Sequence, residues 1–112
     1  MYIYKILRAP EWAELESAGK SAGAPIDVAD GYIHFSTAAQ AEETAAKHFA
    51  GVNGLMLLAY DPALFGDDLK WEVSRNDALF PHLYQSLTLN GLVWARELPL
   101  TDGKHVFPEG ME

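Results

Sequence analysis

An α+β fold, with a bent and largely antiparallel sheet and two main helices, is the architecture this sequence predicts. Three observations predict it. Helical periodicity falls early in the chain and strand patterns fall late, which is the order of an α+β chain rather than of alternating βα units. The apolar segments divide into about five or six strands against two helices. The chain has 112 residues, 49% of them hydrophobic, with no internal repeat or linker, so residues 1–112 make one domain with ample core.

Residues 2–8 read as the first strand, rich in β-branched and aromatic side chains. Period-2 alternation places Ile3, Lys5 and Leu7 on one face and Tyr2, Tyr4 and Ile6 on the other. Lys5 therefore sits on an apolar face, either as an edge lysine that snorkels to water or as a cation at a ligand site. Pro10 suits the first turn of a helix over 10–18, with Trp12, Leu15 and Ala18 on one stripe and Gly19 as its stop. Residues 19–30, with Gly19, Gly23, Pro25 and Asp27, read as a loop. Asp30-Gly31 turns the chain into a short strand that runs straight into a second helix. Thr37 and Gln40 fit the N-cap and N3 positions of a capping box, and the helix extends to about Ala50 with Ala38, Ala41, Ala45 and Phe49 inward.

Leu55 to Tyr60 is apolar throughout, as in a strand buried on both faces. Asp61-Pro62 opens a short helical turn that Gly66 closes. In Leu69–Ser74 the alternation turns Leu69, Trp71 and Val73 inward and Lys70, Glu72 and Ser74 outward. Pro81 argues against a central strand, so residues 79–84 read as an aromatic loop carrying His82 and Tyr84. A strand follows over 91–98, ended by Pro99, and a last short strand over 104–107 follows an Asp102-Gly103 turn.

Composition excludes several chemistries. There is no cysteine, hence no disulfide, thiolate metal site or cysteine nucleophile. That fits a reducing, cytoplasmic location. No apolar run approaches the roughly 20 residues that span a bilayer, and no signal-peptide pattern opens the chain. Sixteen acidic against eight basic residues, a net charge of −8, work against generic nucleic-acid binding. None of the four histidines is spaced at i, i+4 from another, so no metal site is expected. His48 reads as a structural cation near a helix C-terminus. His105 has no catalytic neighbour in sequence.

The strongest candidate site is Tyr32-Ile33-His34-Phe35-Ser36-Thr37. Ile33 and Phe35 face the core, which leaves Tyr32, His34 and Ser36 aligned beside a helix N-terminus suited to a phosphate or carboxylate. His34 is then a ligand or catalytic group, against the plainer role of a half-buried His bonded to a carbonyl. Ser36 and Thr37 also serve as helix caps and Gln40 as a capping-box partner. Glu72 is a candidate general base or hydroxyl acceptor, against simple solvent exposure. His82 faces His34 across a cleft, against a role in fixing the Pro81 turn.

The blocks Asp30–Thr37 with Gln40, Trp71-Glu72 and Phe80–Tyr84 resemble, as a set and in order, those of a bacterial domain-of-unknown-function family numbered nine-five-two. That family is similar in pattern to the ADP-ribosyltransferase superfamily, including the RNA 2′-phosphotransferases. The resemblance implies an ADP-ribosyltransferase-like fold that binds NAD or an ADP-ribosylated intermediate in a cleft. The superfamily's second-strand His motif is matched by His34, which with Glu72 and His82 makes up the catalytic candidates. Lys5, Tyr32, Ser36, Thr37, Gln40, Trp71, Phe80 and Tyr84 would bind the nucleotide-like ligand, the last three aromatics by stacking. Lys5 stands where the superfamily places a first-strand His tied to ribose binding, and Tyr84-Gln85 replaces a more usual Tyr-Gly. Two other readings stand beside this one: a non-catalytic interaction module that keeps the fold, and a small hydrolase using His34 and His82.

Overall fold

The computed structural model describes residues 1–112, with every side chain except that of Arg75. The elements run β1 (Ile3–Leu7), α1 (Ala9–Ala18), β2 (Lys20–Ser21), α2 (Pro25–Asp30), β3 (Ile33–His34), α3 (Ala38–His48) and β4 (Leu55–Tyr60). They continue with β5 (Leu69–Val73), β6 (Leu79–Leu83), β7 (Leu87–Thr88), β8 (Leu92–Leu98), β9 (Leu100–Thr101) and β10 (Lys104–His105). Two 3₁₀ segments, Pro62–Asp68 and Arg75–Asp77, flank β5. The mixed α+β class is as expected, with antiparallel pairing throughout.

Two three-stranded sheets dominate, in the orders β1-β4-β8 and β3-β6-β5. They meet at a single bridge. Tyr4 N–H donates to Ser36 O at 2.8 Å and Ser36 N–H returns to Tyr4 O at 2.9 Å. The two sheets are thus one bent surface joined through edge strands β1 and β3. β4 is the buried strand its sequence describes. Leu58 and Tyr60 pack with Ile3, Leu7, Leu15, Ile33, Phe35 and Leu83 on one side. Leu55, Leu57 and Ala59 pack with Tyr4, Ile6, Ala45 and Leu98 on the other.

The capping box at α3 is present in full. Thr37 Oγ1 accepts from Gln40 N–H, and Gln40 Oε1 accepts from Thr37 N–H at 3.0 Å. Gln40 Nε2 also donates to Leu79 O at 2.8 Å, which ties the helix start to β6. The turn at Asp102-Gly103 closes the β9–β10 hairpin with positive φ at both residues, 52° and 79°, as a type I′ turn requires.

Four expectations are corrected. Residues 19–30 are not a loop: β2 pairs with β7, and α2 occupies Pro25–Asp30, with Asp27 Oδ2 accepting from Ala24 N–H at its start. Gly23 permits this, since φ there is +92° and a Cβ would strike the Asp27 carboxylate. Pro81 lies inside β6, the central strand of its sheet. The strand tolerates it because Pro81 pairs with Trp71 on one side at a register that exchanges no bonds, while on the other its carbonyl accepts from Phe35 N–H at 2.9 Å. The N–H it lacks falls where the short β3 ladder ends. Trp71 and Val73 are in phase with the inward-facing Leu69 but overrun the edge of the core and are exposed. Lys5 does not snorkel; it is buried.

Among the described residues no helix is long and apolar enough to cross a membrane. Leu58 is fully buried near the centre of β4, where truncation leaves a cavity in the core. Leu58→Ala is expected to cost roughly 2–5 kcal/mol in urea or guanidinium unfolding.

Candidate functional site

Past the Tyr4–Ser36 bridge, β1 and β3 separate, and the Lys5 side chain enters the gap. Its Nζ donates to His34 O at 3.0 Å and pairs with Asp27 Oδ2 at 2.7 Å. A buried ammonium thus stands in for the backbone ladder that the two strands do not make. Asp27 is the hub. Its Oδ1 accepts from His34 N–H at 2.9 Å and from His34 Nδ1 at 2.6 Å. His34 Nε2 meets Asp30 Oδ2 at 2.9 Å. Both imidazole contacts are hydrogen bonds at once when the ring carries a proton on each nitrogen.

These surroundings move the two buried charges in the same direction for different reasons. Burial pulls the Lys5 ammonium below its usual range, against the opposing pull of Asp27. Burial would raise the Asp27 carboxyl, but the hydrogen bond from His34 and the charge of Lys5 together hold it below the usual carboxylate range.

A second cluster lies on the same face of the β3-β6-β5 sheet. His82, buried on β6, donates from Nδ1 to Glu72 Oε1 at 2.9 Å, and Tyr84 Oη donates to the same oxygen at 2.6 Å. Tyr84 and His82 hold the Glu72 carboxyl below its ordinary value. In return, the bond to Glu72 pushes the Tyr84 phenol up to about 12. Tyr32 stacks on His82 with ring centroids 4.3 Å apart and touches His34 and Tyr84 at 4.5 and 5.2 Å. His34 and His82 face one another edge-on at 5.4 Å.

Between the sheets, α2 and α3 lies a cleft of about 360 Å³, at the small end of ligand pockets. Lys5, Arg8, His34, His48 and His82 line it, and among the described residues no carboxylate does, although the chain has twice as many acidic as basic residues. Its walls are Tyr4, Phe35, Phe49 and Phe80, with Ser36 Oγ and Thr44 Oγ1 bonded to each other at 2.9 Å. Of the residues singled out from sequence, Lys5, His34, Ser36, Phe80 and His82 meet here. Tyr32 and Tyr84 line a separate hollow of about 310 Å³ beyond Asp27. Glu72 stands behind His82, Thr37 and Gln40 cap α3, and Trp71 lies on the opposite face of β5.

Sequence reasoning missed Asp27 as the hub and Asp30, Arg8, Thr44 and His48 as neighbours of the site. Asp27 carried a signal: a lysine on an apolar strand face needs a buried counter-charge, and Pro25-Ile26-Asp27 has the proline and acid of a helix start. Among the described residues no three His, Cys, Asp or Glu side chains gather to hold a metal ion.

The sequence profile of the family described as "Protein of unknown function (DUF952)" matches residues 6–95. In structure, the chain is similar to protein CC0527 from Caulobacter crescentus. The crystal structure of CC0527 matches with a TM-score of 0.90 and 45% identity, covering 95% of this chain and 94% of that one. Its solution NMR structure matches with a TM-score of 0.82 and 44% identity, covering 93% and 90%. Comparison with curated proteins returns no match.

Removing the Asp27 carboxylate leaves Lys5 buried without a counter-charge. Asp27→Ala is expected to cost roughly 3–5 kcal/mol in chemical unfolding. Because Asp27 binds its proton less tightly folded than unfolded, its contribution is present above the unfolded value of about 4 and is lost as pH falls through the lower folded value. Unfolding curves from pH 7 down to 2 should show this loss in the wild type and lack that component in Asp27→Asn. Tyr84 should ionise near 12 in a tyrosinate absorbance titration and return toward 10 in Glu72→Gln.

Proposed function

The chain belongs to the DUF952 family of proteins of unknown function, and on that footing we propose that its cleft binds a small anionic ligand of nucleotide type, with NAD and ADP-ribose as the class. One observation carries this reading. In a chain of net charge −8, the cleft gathers a lysine, an arginine and three histidines with no carboxylate among its lining. The partners of Lys5 and Arg8, Asp27 and Glu11, are set outside it. Such a lining favours phosphate, and the Tyr4, Phe35, Phe49 and Phe80 walls favour a flat apolar group beside it. A volume of about 360 Å³ suits one nucleoside phosphate half rather than a whole dinucleotide.

In this reading His34, clamped by Asp27 and Asp30 at its two nitrogens, presents a fixed ring to the ligand, and Lys5 holds the strand gap open. Ser36 and Thr44 offer hydroxyls. Phe80 supplies a stacking surface. Trp71, exposed on the far face of β5, has no part, and Thr37 and Gln40 serve by holding α3 in place. The contacts of Glu72 favour a second reading, a hydrolase using His34 and His82. With Nδ1 donating to Glu72, neutral His82 keeps Nε2 as its proton acceptor, the arrangement of an oriented general base. An interaction module without catalysis would bind the same ligand and turn nothing over.

An amide-resolved NMR titration with NAD, ADP-ribose and a 2′-phosphorylated oligonucleotide tests the proposal. Saturable shifts at Lys5, His34, Ser36 and His82, weakened tenfold or more by His34→Ala, are the expected result. No shift with any of the three would reject the nucleotide class. Turnover of a bound ligand, lost in His82→Ala with binding retained, would favour catalysis over a binding module.

A further inference from the structure

The outer edge of β5 is an open edge of its sheet. β5 is the last strand of the β3-β6-β5 sheet, and its exposed side carries Trp71 and Val73, 41% and 64% accessible, beside Leu79 of β6 at 51%. An edge strand with a contiguous apolar face is what natural proteins normally blunt or cover. The backbone phase shows which groups it presents. Pro81 turns its carbonyl toward β3, so Phe80 and His82 point their backbone groups at Glu72 and Lys70. Leu69, Trp71 and Val73 therefore point theirs outward. The Leu69 N–H is already used by Gly66 O, whereas Trp71 and Val73 lie on the open part of the edge.

We propose that β5 pairs antiparallel with β5 of a second copy of this chain, about a two-fold axis through Trp71. The sequence Leu69-Lys70-Trp71-Glu72-Val73 is self-complementary at that register. Trp71 meets its counterpart, and Leu69 meets Val73, so the exposed apolar side chains of β5, Trp71 and Val73, are each flanked by an apolar residue of the other copy. On the opposite face Lys70 of each copy stands directly across from Glu72 of the other, an opposite-charge pair made twice. A one-residue slip in either direction would break the apolar match and the charge match together. The outcome is a continuous sheet, β3-β6-β5-β5-β6-β3. In it the second copy's Lys70 approaches the carboxylate that holds His82 and Tyr84, so the pairing reaches the candidate site.

Analytical ultracentrifugation and light scattering across micromolar to millimolar concentrations read the state directly. The expected result is a dimer whose dissociation constant rises roughly tenfold or more in Lys70→Glu and also in Glu72→Lys. Mixing those two variants restores it, because each then faces opposite charges at both pairs. Trp71→Glu should give a monomer, with far-UV circular dichroism confirming that it folds; Lys70→Glu, at an exposed position, keeps the test open if it does not. A monomer throughout the range would overturn the proposal. So would a dimer indifferent to both charge reversals, or one that their mixture does not rescue.

Discussion

Much of the molecule's arrangement depends on keeping one ammonium out of water. Lys5 sits in the first strand among side chains that are all buried, and an unpaired charge there would cost several kcal/mol. The fold answers with Asp27, and Asp27 can answer only because α2 turns back over the strand and Gly23 leaves room for its carboxylate. The same carboxylate then takes the backbone and ring of His34, so one ion pair sets the spacing of β1 and β3 and the orientation of the histidine. The gap between the strands is held at a fixed width by a side chain instead of being closed by a ladder.

That arrangement also sorts charge. Lys5, Arg8 and His82 line the cleft, while the carboxylates paired with them, Asp27, Glu11 and Glu72, are outside its lining. In a strongly acidic protein this gives a cleft lined by five basic side chains, with their acidic partners held in the surrounding structure. The two histidines differ in the same way. His34 has a carboxylate at each nitrogen, whereas His82 has Glu72 at Nδ1 and Tyr32 stacked on its ring.

The sequence made part of this legible. The capping box at Thr37 and Gln40, the alternation that puts Tyr32, His34 and Ser36 on one face, and the doubly buried β4 all follow local rules, and all are present. The failures also have physical causes. α2 has six residues, too few for a helical period to show among Gly23, Pro25 and Asp27, so a helix passed for a loop. Pro81 was set against a central strand because its missing N–H should break a ladder, yet β3 is too short to need it there. Phase alone predicts a buried Trp71, and the phase is right, but where a strand outruns its core is a tertiary fact. Lys5 was legible as an anomaly and not as a solution, since its partner lies 22 positions away on an element without a signature.

The order in which the strands are stitched has a kinetic consequence. β1 pairs residue for residue with β4, joining Ile3 to Tyr60, and β4 pairs in turn with β8, joining Leu58 to Ala95. The main sheet therefore has no hairpin to nucleate it; each of its pairings closes a long loop before any bond repays the lost entropy. The hairpins β5–β6 and β9–β10 and the helices α1 and α3 are local structures available early. Such non-local pairing in the main sheet slows folding relative to a helical bundle of the same size. Until β1 finds β4, the apolar strand Leu55–Tyr60 is the segment most in need of protection from other chains.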